Sequence, residues 1–137
     1  MFKRFFALVL AFILVLFVAI INRTPVFENY SDYFELYIGS HSSNAQIVTV
    51  KKGDVFTFCG VKGQAFSTDK EGFDLNKFLS ELDAKIVFEE RVEQGVSYYA
   101  FSSKLKNKKK IAGKTVNVQI FIGNTVKVGT PIIYGSF

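Results

Sequence analysis

The chain has 137 residues, 49% of them apolar, with 16 Phe, no Trp, one Cys and one His. That length and composition exclude a disordered or collagen-like chain, a multidomain enzyme, and a disulfide framework or metal cage built from Cys and His. Net charge is +5, from 17 Lys and Arg against 12 Asp and Glu, and it is unevenly spread.

Residues 5–21 are 17 consecutive apolar residues behind Lys3 and Arg4. At about 1.5 Å of rise per residue this is the short limit for crossing a hydrocarbon core, and it is longer than the usual core of a signal peptide. Ala19 is the only small residue near its end, and Phe17 stands two positions before it, so the cleavage signal is poor. Residues 1–22 therefore read as an uncleaved transmembrane signal anchor, the alternative being secretion after cleavage near Ala19. Lys3 and Arg4 prefer the cytoplasmic side, which places residues 23–137 outside, in a single-pass arrangement at the cell membrane. One Cys suits an exported bacterial domain that needs no disulfide. Residues 23–32 read as a short stalk in which Pro25 cannot continue the helix. Phe27, Tyr30 and Tyr33 sit there either at the membrane interface or packed under the domain.

The domain proper, residues 33–137, reads as strands around one helix. Tyr33–Ile38 alternates, with Phe34, Leu36 and Ile38 on one face, and a polar loop follows. Gln46–Lys51 and residues 54–59 flank Lys52-Gly53, a hairpin signal. A weaker strand runs over 64–67. Asp74 caps a helix whose Leu75, Phe78, Leu79 and Leu82 form one apolar stripe. Strands resume at 85–92 and 96–102 around a turn at Glu93-Gln94-Gly95. The cleanest strand is 115–122, with Val116, Val118, Ile120 and Ile122 inward and Thr115, Asn117 and Gln119 outward. Gly123-Asn124 turns into a strand over 125–128, and Pro131 redirects the chain into a last one over 132–134. The fold class expected is α+β: a curved antiparallel sheet with one amphipathic helix packed on it, preceded by the transmembrane helix.

The run Gly95-Val96-Ser97-Tyr98-Tyr99-Ala100-Phe101-Ser102, the Lys-rich segment, Ile111-Ala112-Gly113-Lys114-Thr115-Val116-Asn117-Val118-Gln119-Ile120, and Val128-Gly129-Thr130-Pro131-Ile132-Ile133 together resemble the YwmB-like family of exported proteins from spore-forming Gram-positive bacteria. The resemblance covers about residues 75–133. It implies an exported α+β domain of unknown function and supplies no catalytic residues.

Charge asymmetry is the most informative chemical feature. Residues 23–100 carry 8 basic and 12 acidic side chains, whereas residues 101–137 carry 7 Lys and no acid. Lys104, Lys106, Lys108, Lys109, Lys110 and Lys114 fall on one expected loop between two strands. Such a loop suits polyanions such as anionic lipid or teichoic acid, or else serves as a solvated, edge-protecting surface. Nucleic acid is the weaker partner, because Lys lacks the bidentate reach of Arg and the loop offers no clear stacking platform. No cofactor or metal is expected, since no phosphate-binding glycine loop or metal-ligand spacing occurs. Two functions follow. One is a membrane-tethered, extracytoplasmic, non-enzymatic module that contacts the envelope or a partner protein. The alternative is a small cell-wall thiol enzyme, transpeptidase- or hydrolase-like, using Cys59 with His41. Residues 40–44 read as a polar loop, and Glu89, Glu90 and Glu93 as surface charge.

Overall fold

A computed structural model describes residues 1–21, 26–39, 45–53 and 60–134, and the side chains of all of these except 18–21. The elements are α1 (Phe2–Ile21), β1 (Tyr33–Ile38), β2 (Gln46–Lys51), β3 (Val61–Asp69), α2 (Leu75–Glu81), β4 (Ala84–Val92), β5 (Gly95–Ser102), β6 (Lys109–Ile111), β7 (Lys114–Val116), β8 (Val118–Ile122) and β9 (Thr125–Thr130). Seven strands form one sheet in the order β2-β1-β3-β9-β8-β5-β4, and β6 pairs with β7 in a second, two-stranded sheet. Every pairing is antiparallel.

Helix α1 corrects the expectation of a transmembrane anchor. Lys3 and Arg4 occupy its first turn, so the apolar part of α1 is residues 5–21, 17 residues or about 25 Å long. A hydrocarbon core is about 30 Å thick. Among the described residues no helix is long and apolar enough to cross a membrane. The expected fold class is corrected with it. Among the described residues the chain is mostly antiparallel sheet with two helices, and α2, between β3 and β4, has only 7 residues. Beyond residue 26 most apolar side chains alternate along strands, so burial is achieved chiefly by the sheet.

One face of that sheet carries the main core. Phe34 and Leu36 of β1, Phe66 of β3, Val118 and Ile120 of β8, and Val126 and Val128 of β9 pack with Phe78 and Leu79 of α2. The helix begins where Asp74 Oδ1 accepts from the Lys77 backbone N–H at 3.0 Å, an N-cap that satisfies one orphan donor. Residues of the expected stalk join this core. Phe27 is wholly buried, and Tyr30 stacks on Phe66 at 5.6 Å, while the Val26 N–H donates to Gln64 Oε1 at 2.8 Å. Phe27 and Tyr30 therefore pack under the domain, and Tyr33 is exposed.

The second face is covered at its centre, which overturns the reading of 115–122 as one strand with polar residues outward. The strand breaks at Asn117, and Asn117 and Gln119 are both buried. The chain after β9, expected as a strand over 132–134, instead folds back across the sheet. Its Ile133 N–H donates to Gln119 Oε1 at 2.9 Å, and Tyr134 meets Tyr37 edge-on at 4.9 Å. Gly129 and Gly63 permit this approach, because a Cβ at either would lie 2.6–2.7 Å from a backbone oxygen of Ile132 or Thr130. Gln119 Nε2 donates to Ser97 Oγ at 3.1 Å and to the Tyr99 hydroxyl at 3.3 Å, so the buried amide is satisfied on both sides. The weak strand expected over 64–67 is the centre of β3, and the strand expected over 54–59 lies outside the described residues.

Asn117 is the more exacting of the two amides. Its Nδ2 donates to the carbonyls of Ser102 (2.6 Å) and Leu105 (3.1 Å), and its Oδ1 accepts from the Ser102 N–H at 2.8 Å. Its own N–H reaches Ala100 O, and its carbonyl accepts from Thr130 Oγ1 at 2.7 Å. Removing the side chain strands one buried N–H and two carbonyls. Asn117→Ala is expected to lower unfolding free energy by about 3 kcal/mol. Urea denaturation followed by circular dichroism checks this, and an unchanged midpoint would contradict the assignment.

Candidate functional site

The lysine segment is half loop and half hairpin: Lys104, Lys106 and Lys108 lie in the irregular chain that leads into it. Lys109 and Lys110 lie on β6 opposite Val116 and Thr115 of β7, and Lys114 lies opposite Ile111. Ala112 and Gly113 make the turn with φ of 49° and 75°. Two central residues with positive φ are the geometry whose twist matches a two-residue hairpin. The hairpin is pinned below by Leu105, which is buried, and by the Asn117 amide that holds the Leu105 carbonyl. Period-2 patterning misses it because β6 and β7 have only three residues each, too few to show alternation.

The structure divides the six lysines by what they touch. Lys104 Nζ donates to the carbonyl of Glu81, the last residue of α2, at 3.1 Å, where the helix end favours a cation. Lys108, Lys109 and Lys114 place their Nζ atoms 5.5, 5.1 and 5.6 Å from the ring centroids of Phe101, Tyr134 and Phe88. These are cation–π distances. Lys106 and Lys110 are exposed and have no partner among the described residues. The hairpin thus holds its cations in place largely on aromatic faces, since residues 101–137 contain no carboxylate side chain.

The other candidates separate. Glu89 pairs with Arg91 at 3.3 Å on the surface, where such a pair contributes little. Glu90 accepts from the Tyr99 hydroxyl at 3.3 Å, and Glu93 sits in the turn between β4 and β5, so the three carboxylates do not converge on one site. The better-sheltered pair is Lys127 with Glu35 at 3.1 Å, and Glu35 also accepts from Tyr37. His41, Cys59 and the polar loop at 40–44 lie outside the described residues. Among the described residues no group of three or more His, Cys, Asp or Glu is placed to hold a metal.

A shallow cavity of about 150 Å³ opens beside α2, lined by Tyr30, Phe73 and Phe78 with Asp74, Lys77 and Glu81 at its rim. The Tyr30 hydroxyl donates to Glu81 Oε2. Tyr30 lies far from α2 in the chain, so no local pattern announces the slot.

Burial, and then the hydrogen bond and charge of Glu81, push the Tyr30 phenol up to about 12. Burial first and the Glu90 charge second raise Tyr99, burial and the Glu35 charge raise Tyr37, and burial raises Tyr134. A phenol raised in the folded state loses its proton first in the unfolded chain. Its stabilising contribution is therefore complete below about pH 10 and disappears as pH climbs through the folded value. Stability should fall above pH 10, and Glu81→Gln should bring the Tyr30 titration part of the way back toward 10. Ultraviolet tyrosinate titration of the native chain and of the variant reads this directly. A second expectation separates the lysines. Lys109→Gln should cost about 0.5 kcal/mol through its lost ring contact, whereas Lys110→Gln should change the denaturation midpoint within error.

No family model, curated protein or solved structure matches this chain.

Proposed function

We propose that this chain is a non-enzymatic, extracytoplasmic module that docks on a lipid membrane through α1 and meets an anionic envelope surface, lipid or teichoic acid, through the basic hairpin. The observation that carries the reading is the basic segment: Lys104, Lys106 and Lys108 lead into the hairpin that carries Lys109, Lys110 and Lys114, all within the last 37 residues, which have no acidic side chain. Three of those cations rest on aromatic faces, so they are held in place before any partner arrives.

Helix α1 supports the membrane half of the proposal. Its Phe2, Phe5, Phe6, Phe12, Leu14 and Phe17 are 57–91% exposed and point to all sides of the helix. A helix apolar all round is stable in hydrocarbon and costly in water. Lys3 and Arg4 ahead of the apolar run have the layout of an export signal, which favours a place outside the cytoplasm. Kinship with the YwmB-like family, suggested by residues 75–133, belongs to the same proposal.

The full chain should bind phosphatidylglycerol vesicles more tightly than phosphatidylcholine vesicles. The preference should shrink as salt rises, because the Debye length falls from about 10 Å at 0.1 M to about 3 Å at 1 M. α1 contributes to both vesicle types, so the ratio between them reads the lysines. Lys106→Gln with Lys110→Gln should lower that ratio by about tenfold or more while leaving the melting profile unchanged. Equal binding to both vesicles at low salt, or a ratio untouched by the double change, would assign the hairpin to solubility alone.

A further inference from the structure

Tyr30, Phe73 and Phe78 bring three aromatic rings to the slot beside α2. Phe78 is its floor, 2% exposed, with Tyr30 edge-on at 5.0 Å and Phe73 tilted against it at 5.4 Å. Helical spacing brings Asp74, Lys77, Phe78 and Glu81 to one side of α2 and its cap, so charged groups rim the aromatic floor. The lining holds two carboxylates against one ammonium, with the Lys104 ammonium nearby on the Glu81 carbonyl. The Tyr30 hydroxyl ties down the Glu81 carboxylate, which fixes a negative charge at the edge of the aromatic surface.

Aromatic faces carry the negative end of a quadrupole, and rings grouped with carboxylates favour a cation that also has apolar surface. An anion meets repulsion from both the rings and the rim, and a neutral apolar group gains only contact area. A cavity of about 150 Å³ is large enough to admit a molecule the size of benzene, and a small quaternary ammonium head is of similar bulk. We propose that this slot binds an alkylammonium group of the choline type, its methyl groups against Tyr30, Phe73 and Phe78 and its charge balanced by Glu81 and Asp74. The slot shares no lining residue with the lysine segment, whose one contact with it is Lys104 at the Glu81 carbonyl.

The test is a titration of the full chain in a non-ionic detergent with choline chloride, followed by the ring resonances of Tyr30, Phe73 and Phe78. Sodium chloride at equal ionic strength and dimethylbutanol, the uncharged carbon isostere of choline, serve as controls. Choline should give saturable shifts, with dimethylbutanol about fivefold weaker or worse. Phe73→Leu keeps apolar bulk and removes a ring face, and Glu81→Gln keeps a hydrogen-bond acceptor and removes the charge. Each should weaken choline by about fivefold and leave dimethylbutanol within about twofold. Phosphatidylcholine carried in the same detergent micelles that displaces choline would identify a lipid head group as the source, and failure to displace it would identify a free cation. Absence of saturable shifts, equal affinity for choline and dimethylbutanol, or full choline affinity in Glu81→Gln would each overturn the proposal. Glu81 is exposed, so that variant remains informative even if Phe73→Leu disturbs the core.

Discussion

The side-chain amide of Asn117 closes the junction between the basic hairpin and the main sheet, bonding Ser102 and Leu105 where the lysine segment leaves β5. Between β5 and β8 the chain leaves the seven-stranded sheet, makes β6 and β7, and returns. Such an excursion breaks the backbone ladder on both sides of the exit. Asn117 repairs the break by offering its amide to Ser102 as though it were another backbone group, one donor and one acceptor, and by using its second N–H on Leu105. In a buried position with few competing water molecules these bonds are worth more than on the surface, and leaving them unmade costs more still.

A similar device holds the opposite face. Gln119 lies two residues further along the same segment and turns its amide to the chain that returns after β9. The short stretch from Asn117 to Ile120 thus carries apolar Val118 and Ile120 toward α2 and polar Asn117 and Gln119 into equally buried surroundings. A sheet covered on both faces does not show the apolar-in, polar-out alternation of a half-solvated one, and its buried polar residues persist only where every bond is satisfied. The ion pair of Lys127 with Glu35 and the hydroxyls of Tyr37 and Tyr99 extend this polar layer across the second face.

The two candidate surfaces differ in origin. The lysine hairpin is made from one contiguous stretch, and its chemistry comes from composition: cations with no acidic side chain close by in sequence. Aromatic rings from β4, β5 and the C-terminal return then supply the contacts that ion pairs would otherwise make. The aromatic slot joins residues distant in the chain, Tyr30 from the segment before β1 and the rest from the start and body of α2. It exists because Phe27 and Tyr30, although they follow the apolar N-terminal helix, fold under the sheet instead of extending away from it.

Read alone, the sequence determined what depends on near neighbours. β1 and β2 follow from alternation, α2 and its Asp74 cap from an i, i+3, i+4 stripe, the β4–β5 and β8–β9 turns from their glycines, and the charge asymmetry from simple counting. Tertiary structure decided which faces are covered. Alternation says that Asn117 and Gln119 point away from Val118, but whether water or protein lies there depends on a chain return more than ten residues later. Contacts over that separation also drew Phe27 into the core and assembled the slot around Phe78. None of these is visible locally, because burial belongs to the pair of surfaces that meet and a single segment encodes only one of them.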